Sequence, residues 1–277
     1  MCLAVRQSDL NVQFSTPEHL VFNNELKFYS LDESFKVIEH LNVEIPSRID
    51  NEQFEDPRVL VHDNKVFVSC CNYSLKSQKF LHQTLLEFDQ SLEFIGAIDP
   101  VYGGNGNSIR ENTRTEKNWT WFALGMDRYC VYSMSPHLVV KFHHTGLPEA
   151  SYATYVDTID MWQFGECRMG SNPVLLNGLF YNFFHSSLPW RNGKRQYFMG
   201  AYTFEPEPPF QITQITSKPL LYGSENDIRQ FSSPLVIFPC GAIFIDDEWV
   251  VSSGVNDERS AWFAIPHKTL LRSLISV

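Results

Sequence analysis

The stretch Val59-Leu60-Val61-His62-Asp63-Asn64-Lys65-Val66-Phe67-Val68-Ser69 decides the fold, because two short runs rich in β-branched and aromatic residues flank a two-residue Asp-Asn turn. Residues that tolerate positive φ close such a turn with the twist that the strands need, so the stretch reads as a β-hairpin. The same grammar recurs in both directions. Strand-like runs lie at 19–22, 26–29, 35–38, 83–88, 94–98, 119–124, 130–134, 138–142, 174–176, 179–184, 196–202, 210–215, 235–238, 242–245, 248–252 and 261–265. Turn signals separate them at Gly103-Gly104-Asn105-Gly106-Asn107, Asn177-Gly178, Asn192-Gly193 and Asp246-Asp247, and only 267–275 has helical periodicity. The chain is predicted to be all-β. About twenty strands exceed a single sandwich, and a five-bladed β-propeller of four strands per blade, at about 50–60 residues a blade, accounts for them best. With no Pro-, Gly- or Ser-rich linker, residues 1–277 read as a single domain.

Composition narrows the functional classes. At 43% hydrophobic and 14% aromatic, the 277 residues can bury a large core. A net charge of −10 without any Lys/Arg run leaves no basic footprint for nucleic acid or an anionic membrane. The N-terminal residues Met1-Cys2-Leu3-Ala4-Val5-Arg6 carry no basic region followed by an apolar run, and the expected location is cytoplasmic. The six cysteines (Cys2, Cys70, Cys71, Cys130, Cys167, Cys240) have neither metal-ligand nor redox spacing, so free thiols, mostly buried, are expected, with no metal and no cofactor.

Immediately before the opening stretch stands Phe54-Glu55-Asp56-Pro57-Arg58. Pro57 cannot donate to a ladder and belongs at the start or edge of a strand, and the residue before a proline is expected to be extended. Asp56 is then a carboxylate at a strand mouth with Arg58 two residues on, suited to proton donation or to orienting a polyhydroxylated ligand; the competing reading is an ordinary Asp-Pro turn, its arginine a surface partner. A second constellation, Arg114-Thr115-Glu116-Lys117-Asn118-Trp119, mixes ionic, amide and aromatic groups as a sugar or phosphate site does. In a third, Arg168 precedes the small-residue turn Gly170-Ser171-Asn172-Pro173, where a guanidinium and backbone amides can meet an anion, and His185 closes an aromatic strand. Asp257 follows Gly254-Val255-Asn256 as either a ligand-orienting carboxylate or a turn aspartate.

Taken in order, Glu55-Asp56-Pro57-Arg58, Glu116-Lys117-Asn118, Arg168 to Pro173, Tyr181 to His185, Gly200-Ala201, Val236 to Gly241 and Gly254 to Asp257 resemble the successive signatures of glycoside hydrolase family 130, the β-mannoside phosphorylases and related mannosidases. The resemblance implies a five-bladed propeller with its site in the central depression. It implies Asp56 as general acid, Arg58 as its support, Lys117, Asn118 and Arg168 as sugar or anion contacts, and His185 and Asp257 as further lining groups. The chain departs from the family at three places. It begins beyond the usual Asn-Pro-Ser strand, which implies a first blade shortened at the N-terminus. It has Tyr132-Ser133-Met134-Ser135-Pro136-His137 where a phosphate-binding His-Arg pair is usual, and Ser186-Ser187 follow His185 in place of glycine.

The chemistry expected is inverting cleavage of a β-linked glycoside, a mannoside on the strength of the resemblance. An acid protonates the leaving oxygen while phosphate or water attacks the opposite face. For phosphorolysis, inorganic phosphate is the co-substrate and Lys117, Arg168 and Arg114 hold it. For hydrolysis a second carboxylate is required, and Glu116, Glu166 and Asp257 are the candidates. Two further classes stay open: a glycosyltransferase using a nucleotide sugar or sugar phosphate, as in the related trypanosomatid branch, and a carbohydrate-binding propeller without turnover. The expected partner is an oligosaccharide or sugar phosphate.

Overall fold

The computed structural model describes residues 2–10, 22–46, 48, 52–74, 79–102, 117–156, 161–225 and 235–277. These form five antiparallel sheets in chain order. The first is β1 (Cys2–Leu10), β2 (Phe22–Leu31) and β3 (Val37–Leu41), and the second is β4 (Glu52–His62), β5 (Lys65–Ser74), β6 (Lys79–Phe88) and β7 (Phe94–Ile98). The third pairs β8 (Thr120–Leu124), β9 (Asp127–Met134), β10 (His137–Phe142) and β11 (Pro148–Thr154) in sequence. The fourth is built on β12 (Arg168–Met169), β14 (Leu179–Pro189), β15 (Arg195–Phe204) and β16 (Ile212–Thr216), with β13 (Val174–Leu176) on β14 and β17 (Leu221–Tyr222) on β15. The fifth is β18 (Ile237–Ile245), β19 (Glu248–Val255) and β20 (Arg259–Pro266). A short helix α1 (His267–Ser273) then returns the chain to the fourth sheet, where β21 (Leu274–Ser276) pairs with β16.

The predicted turns have the backbone they require. Asp63-Asn64, Asn177-Gly178 and Asp246-Asp247 all carry positive φ at both residues, as a two-residue hairpin with right-handed strand twist demands. Elsewhere side chains redirect the chain. Phe35, expected in a strand, sits at φ 62° in a turn where Asp32 Oδ1 accepts the N–H groups of Ser34 and Lys36, both at 2.9 Å. Asn192-Gly193 belongs to a 3-10 turn (Arg191–Gly193) and not to a two-residue hairpin. The two runs read around Pro239 are one strand, β18, whose register shifts between Pro239 and Gly241. Since among the described residues β18 pairs only with β19, an edge position accommodates the missing N–H. Much of the 267–275 window is α1, but its end is β21. The 19–22 run, apart from Phe22, and the 103–107 glycine-asparagine loop lie outside the described residues.

The chain divides into two compact units, Met1–Lys117 with His144–Leu147, and Asn118–His143 with Pro148–Val277. In the first, Ala4 and Phe28 of the first sheet pack on Val68, Cys70, Leu86 and Phe88 of the second, with Phe28 edge-on to Phe88 at 5.4 Å between ring centroids. In the second, β14 is buried on both faces. Phe180 and Phe184 enter a cluster with Phe122, Val131 and Val139, whereas Tyr181 and Phe183 enter another with Ile237, Trp249 and Val251. The alternation repeats in β15, with Tyr202 and Phe204 on one side and Met199 and Ala201 on the other, so these strands read as continuous apolar runs. Five cysteines, Cys70, Cys71, Cys130, Cys167 and Cys240, are free thiols, and the first three are buried; the Cys2 side chain lies outside the described residues.

His137 in this second core is fully buried among Tyr202 and Phe204, with Nδ1 2.9 Å from the Phe210 carbonyl oxygen. Burial pulls its pKa down from 6.5 to about 4, against the opposing pull of the Phe210 bond. The folded protein therefore binds this proton less readily than the unfolded chain. The stabilisation is complete above pH 6.5 and is lost as pH falls toward 4, a loss of about 3 kcal/mol. His137→Gln cannot be protonated there, and urea unfolding between pH 7 and 4.5 should show a flatter pH dependence than the parent. Identical slopes for the two proteins would contradict the assignment.

Candidate functional site

The Asp-Pro stretch is not at the mouth of a strand but inside one. Glu55 pairs with Cys71 and Arg58 with Ser69, so Asp56 and Pro57 together face the single residue Cys70 across the ladder, and β4 bulges. Asp56 is accordingly left-handed (φ 53°) and not extended as expected from its place before a proline. The physical reason is the bulge: the edge strand β4 skips its bonds where Pro57 has none to give, and the chain regains its register by one reversal of φ, which aspartate tolerates better than most residues. The expectation that Pro57 lies on a sheet edge holds.

Arg58 supports this geometry directly. The residue is 1% exposed, and Nη1 donates to the Asp56 carbonyl oxygen at 2.9 Å. A buried guanidinium bonded to the backbone of the bulge fixes the residue that carries the carboxylate, which itself remains half-buried. At the start of β4 lies a second polar cluster that the sequence reading missed. Arg48 bonds Glu52 at 2.6 Å and Asp99 at 3.0 Å, Thr84 Oγ1 donates to Asp99 at 2.7 Å, and Asn72 Nδ2 donates to Glu52. Burial pushes the Asp99 carboxyl up, but bonds from His82 and Thr84 and the nearby His82 and Arg48 charges outweigh it and hold it at about 2. The cluster is assembled from residues up to about fifty positions apart, and no local motif announces it.

In the second unit, Arg168 and His185 are directly opposite each other in the β12–β14 ladder. Their exposures differ. Arg168 is 59% exposed at its side chain and paired with Glu166 at 3.0 Å, whereas His185 is 4% exposed, stacked at 6.0 Å on Tyr197 and 4.5 Å from the Phe238 ring. Behind Arg168 the chain turns sharply at Gly170, where a Cβ would lie 2.4 Å from the Phe183 carbonyl oxygen. Asn172 Oδ1 then accepts the Trp121 N–H at 2.8 Å, and Asn182 Nδ2 donates to the Ser171 carbonyl oxygen at 3.0 Å, so this turn is tied both to β8 and to β14.

Asp257 is exposed at φ 54° in the turn between β19 and β20. That turn is anchored through Asn256, whose Oδ1 accepts the Val236 N–H at 2.8 Å. The adjoining Leu235 carbonyl oxygen accepts from Tyr197, the residue stacked on His185. The His185 and Asp257 ends of the fourth and fifth sheets are thus joined by one chain of contacts. Asn118 sits at φ 63° before β8, and its buried Oδ1 has no hydrogen-bond partner among the described residues. Lys117, half-buried, is the last residue of the first unit before Asn118 opens the second. Arg114 and Glu116 lie outside the described residues. Among the described residues no group of three or more His, Cys, Asp or Glu side chains is placed to hold a metal ion.

The left-handed backbone at Asp56 makes a prediction about stability. Asn tolerates this conformation as Asp does, whereas alanine pays its steric cost of about 1 kcal/mol. Asp56→Asn should therefore melt with the parent and Asp56→Ala below it by an amount matching that cost. A large loss in Asp56→Asn would make the carboxylate a structural group.

No family model and no curated protein matches the chain by sequence. Solved structures do match. A β-1,2-mannobiose phosphorylase from Listeria innocua, in complex with β-1,2-mannobiose, aligns over 92% of this chain and 70% of its own at 15% identity and a TM-score of 0.67. A structure from the glycoside hydrolase family 130 of mannoside phosphorylases, described with hydrolases that target β-1,2-mannosidic linkages in Candida mannan, aligns over 96% and 81% at 10% identity and a TM-score of 0.69. A mannose phosphorylase from Leishmania mexicana, in complex with a phosphate ion, aligns over 100% and 82% at 12% identity and a TM-score of 0.55. The likeness is one of fold: the chain carries the fold of the glycoside hydrolase family 130 mannoside phosphorylases and their hydrolase relatives.

Proposed function

We propose that this chain is a carbohydrate-active enzyme that cleaves a β-linked mannoside with inversion, and that its five sheets are the blades of one five-bladed propeller domain. The observation that carries the reading is Asp56. It is a half-buried carboxylate on a left-handed bulge, supported from behind by a buried arginine, in a fold shared with mannoside phosphorylases. Backbone strain of this kind persists where the surrounding structure enforces it, and it concentrates at functional positions.

In the proposed reaction the protonated Asp56 carboxyl gives its proton to the leaving glycosidic oxygen, directly or through a substrate hydroxyl. The bond from that oxygen to the anomeric carbon breaks as a nucleophile bonds to the opposite face. With inorganic phosphate as nucleophile, Lys117, Arg168 and Arg114 balance the anion and no protein base is required. With water, Glu116, Glu166 or Asp257 takes its proton. The Glu166–Arg168 pair bears on this choice: it is exposed and worth little to stability, so Arg168 is available to exchange its partner for an anionic substrate at small cost. The buried Oδ1 of Asn118, unbonded among the described residues, supports a sugar hydroxyl as its partner.

The test is turnover of β-1,2-mannobiose with and without inorganic phosphate, followed by NMR so that the anomeric configuration of the first product is read. Inverted product, formed only or faster with phosphate, supports phosphorolysis, and inverted mannose without phosphate supports hydrolysis. Asp56→Asn should lower kcat by about 10²-fold or more, the range of lost acid catalysis. An Asp56→Asn protein as active as its parent would overturn the assignment of the acid.

A further inference from the structure

We infer that Asn24 is a positioning residue for Asp56, clamping β4 immediately before its bulge; the inference rests on the proposed role of Asp56 as the acid. Asn24 lies in β2, in another sheet, yet its polar groups converge on β4. Its backbone N–H donates to Gln53 Oε1 at 2.9 Å and its Nδ2 donates to Glu55 Oε1 at 2.6 Å. Its Oδ1 accepts from Ser8 Oγ at 2.6 Å, and Ser8 stands directly opposite it in the β1–β2 ladder. A carboxylate oxygen can only accept, so the bond to Glu55 fixes which end of the Asn24 amide faces β4. Arg6, two residues before Ser8 and on the same face of β1, brings Nη1 to 3.6 Å from Glu55 Oε2.

Glu55 is thereby engaged at both oxygens, with a side chain 14% exposed. Its place in the ladder gives the clamp its meaning. Glu55 is the last paired residue before the bulge, and Arg58, the first paired residue after it, holds the Asp56 carbonyl oxygen. The left-handed residue is pinned on one side from within its own strand and on the other from the neighbouring sheet. A bulge interrupts its ladder, so it needs such outside support. A proton donor displaced by about 1 Å from its acceptor loses about 10²-fold in rate, so support at Glu55 reaches the chemistry without any contact between Asn24 and substrate.

Amide hydrogen exchange and kinetics on the full chain test this together. Asn24→Ala should raise exchange at Asp56 and Arg58 by about tenfold, the effect of one hydrogen bond to a charged group, while amides of β6 exchange as in the parent. On β-1,2-mannobiose with inorganic phosphate, kcat should fall by about tenfold, with KM unchanged. Asn24→Asp, which sets one carboxylate against that of Glu55, should be worse in both measurements. Combining it with Glu55→Gln exchanges donor and acceptor and should restore both. Parent-like exchange at Asp56 and Arg58 in Asn24→Ala, or a double variant no better than Asn24→Asp, would overturn the clamp. An inactive parent protein would count against the proposed reaction alone, and the exchange measurement would still decide the clamp.

Discussion

One missing hydrogen bond shapes the candidate site. Pro57 has no N–H to give, so the edge strand β4 cannot keep its ladder through that residue. The strand bulges, Asp56 takes up a left-handed backbone, and a guanidinium is buried behind it to hold the carbonyl oxygen that the bulge displaces. Each of these features has a cost in isolation: strain at a non-glycine residue, a desolvated charge, an interrupted ladder. Together they account for one another. The polar contacts from Asn24 and Arg6 extend the same support into the neighbouring sheet.

The second unit meets a different constraint. Its strands β14 and β15 are buried on both faces, which requires an apolar sequence throughout, yet β14 also carries Asn182, Ser186 and His185. Two of them are tied locally: Asn182 Nδ2 donates to the Ser171 carbonyl oxygen, and Ser186 Oγ accepts from the Trp162 indole and donates to the Phe164 carbonyl oxygen. The result places His185 in a rigid aromatic setting beside Tyr197 and Phe238, opposite Arg168. A residue held this way keeps its orientation without depending on loops.

Much of the fold was legible because hairpin grammar is local. Asp63-Asn64, Asn177-Gly178 and Asp246-Asp247 name their own turn geometry, and runs such as 94–98 and 174–176 coincide with β7 and β13. What escaped was decided at a distance. β1, with polar residues through its middle, is a strand because β2 pairs along its whole length, and β21 forms because β16 offers an edge after α1. The Asp-Pro motif was read with the wrong backbone, since a pairwise rule for residues before proline cannot see the register of β5 on either side of the bulge. The Asn24–Glu55 contact was illegible for the same reason: thirty-one positions separate its partners, and only the packing of two sheets brings them together.

The central claim is that Asp56 protonates a glycosidic oxygen, and a crystal structure of the Asp56→Asn protein with β-1,2-mannobiose and inorganic phosphate tests it most directly. The account predicts the glycosidic oxygen, or a sugar hydroxyl bonded to it, at about 3 Å from the residue 56 side chain, with an anion or water on the opposite face of the anomeric carbon. A disaccharide bound with its scissile oxygen out of reach of residue 56, and no hydroxyl between them, would contradict it.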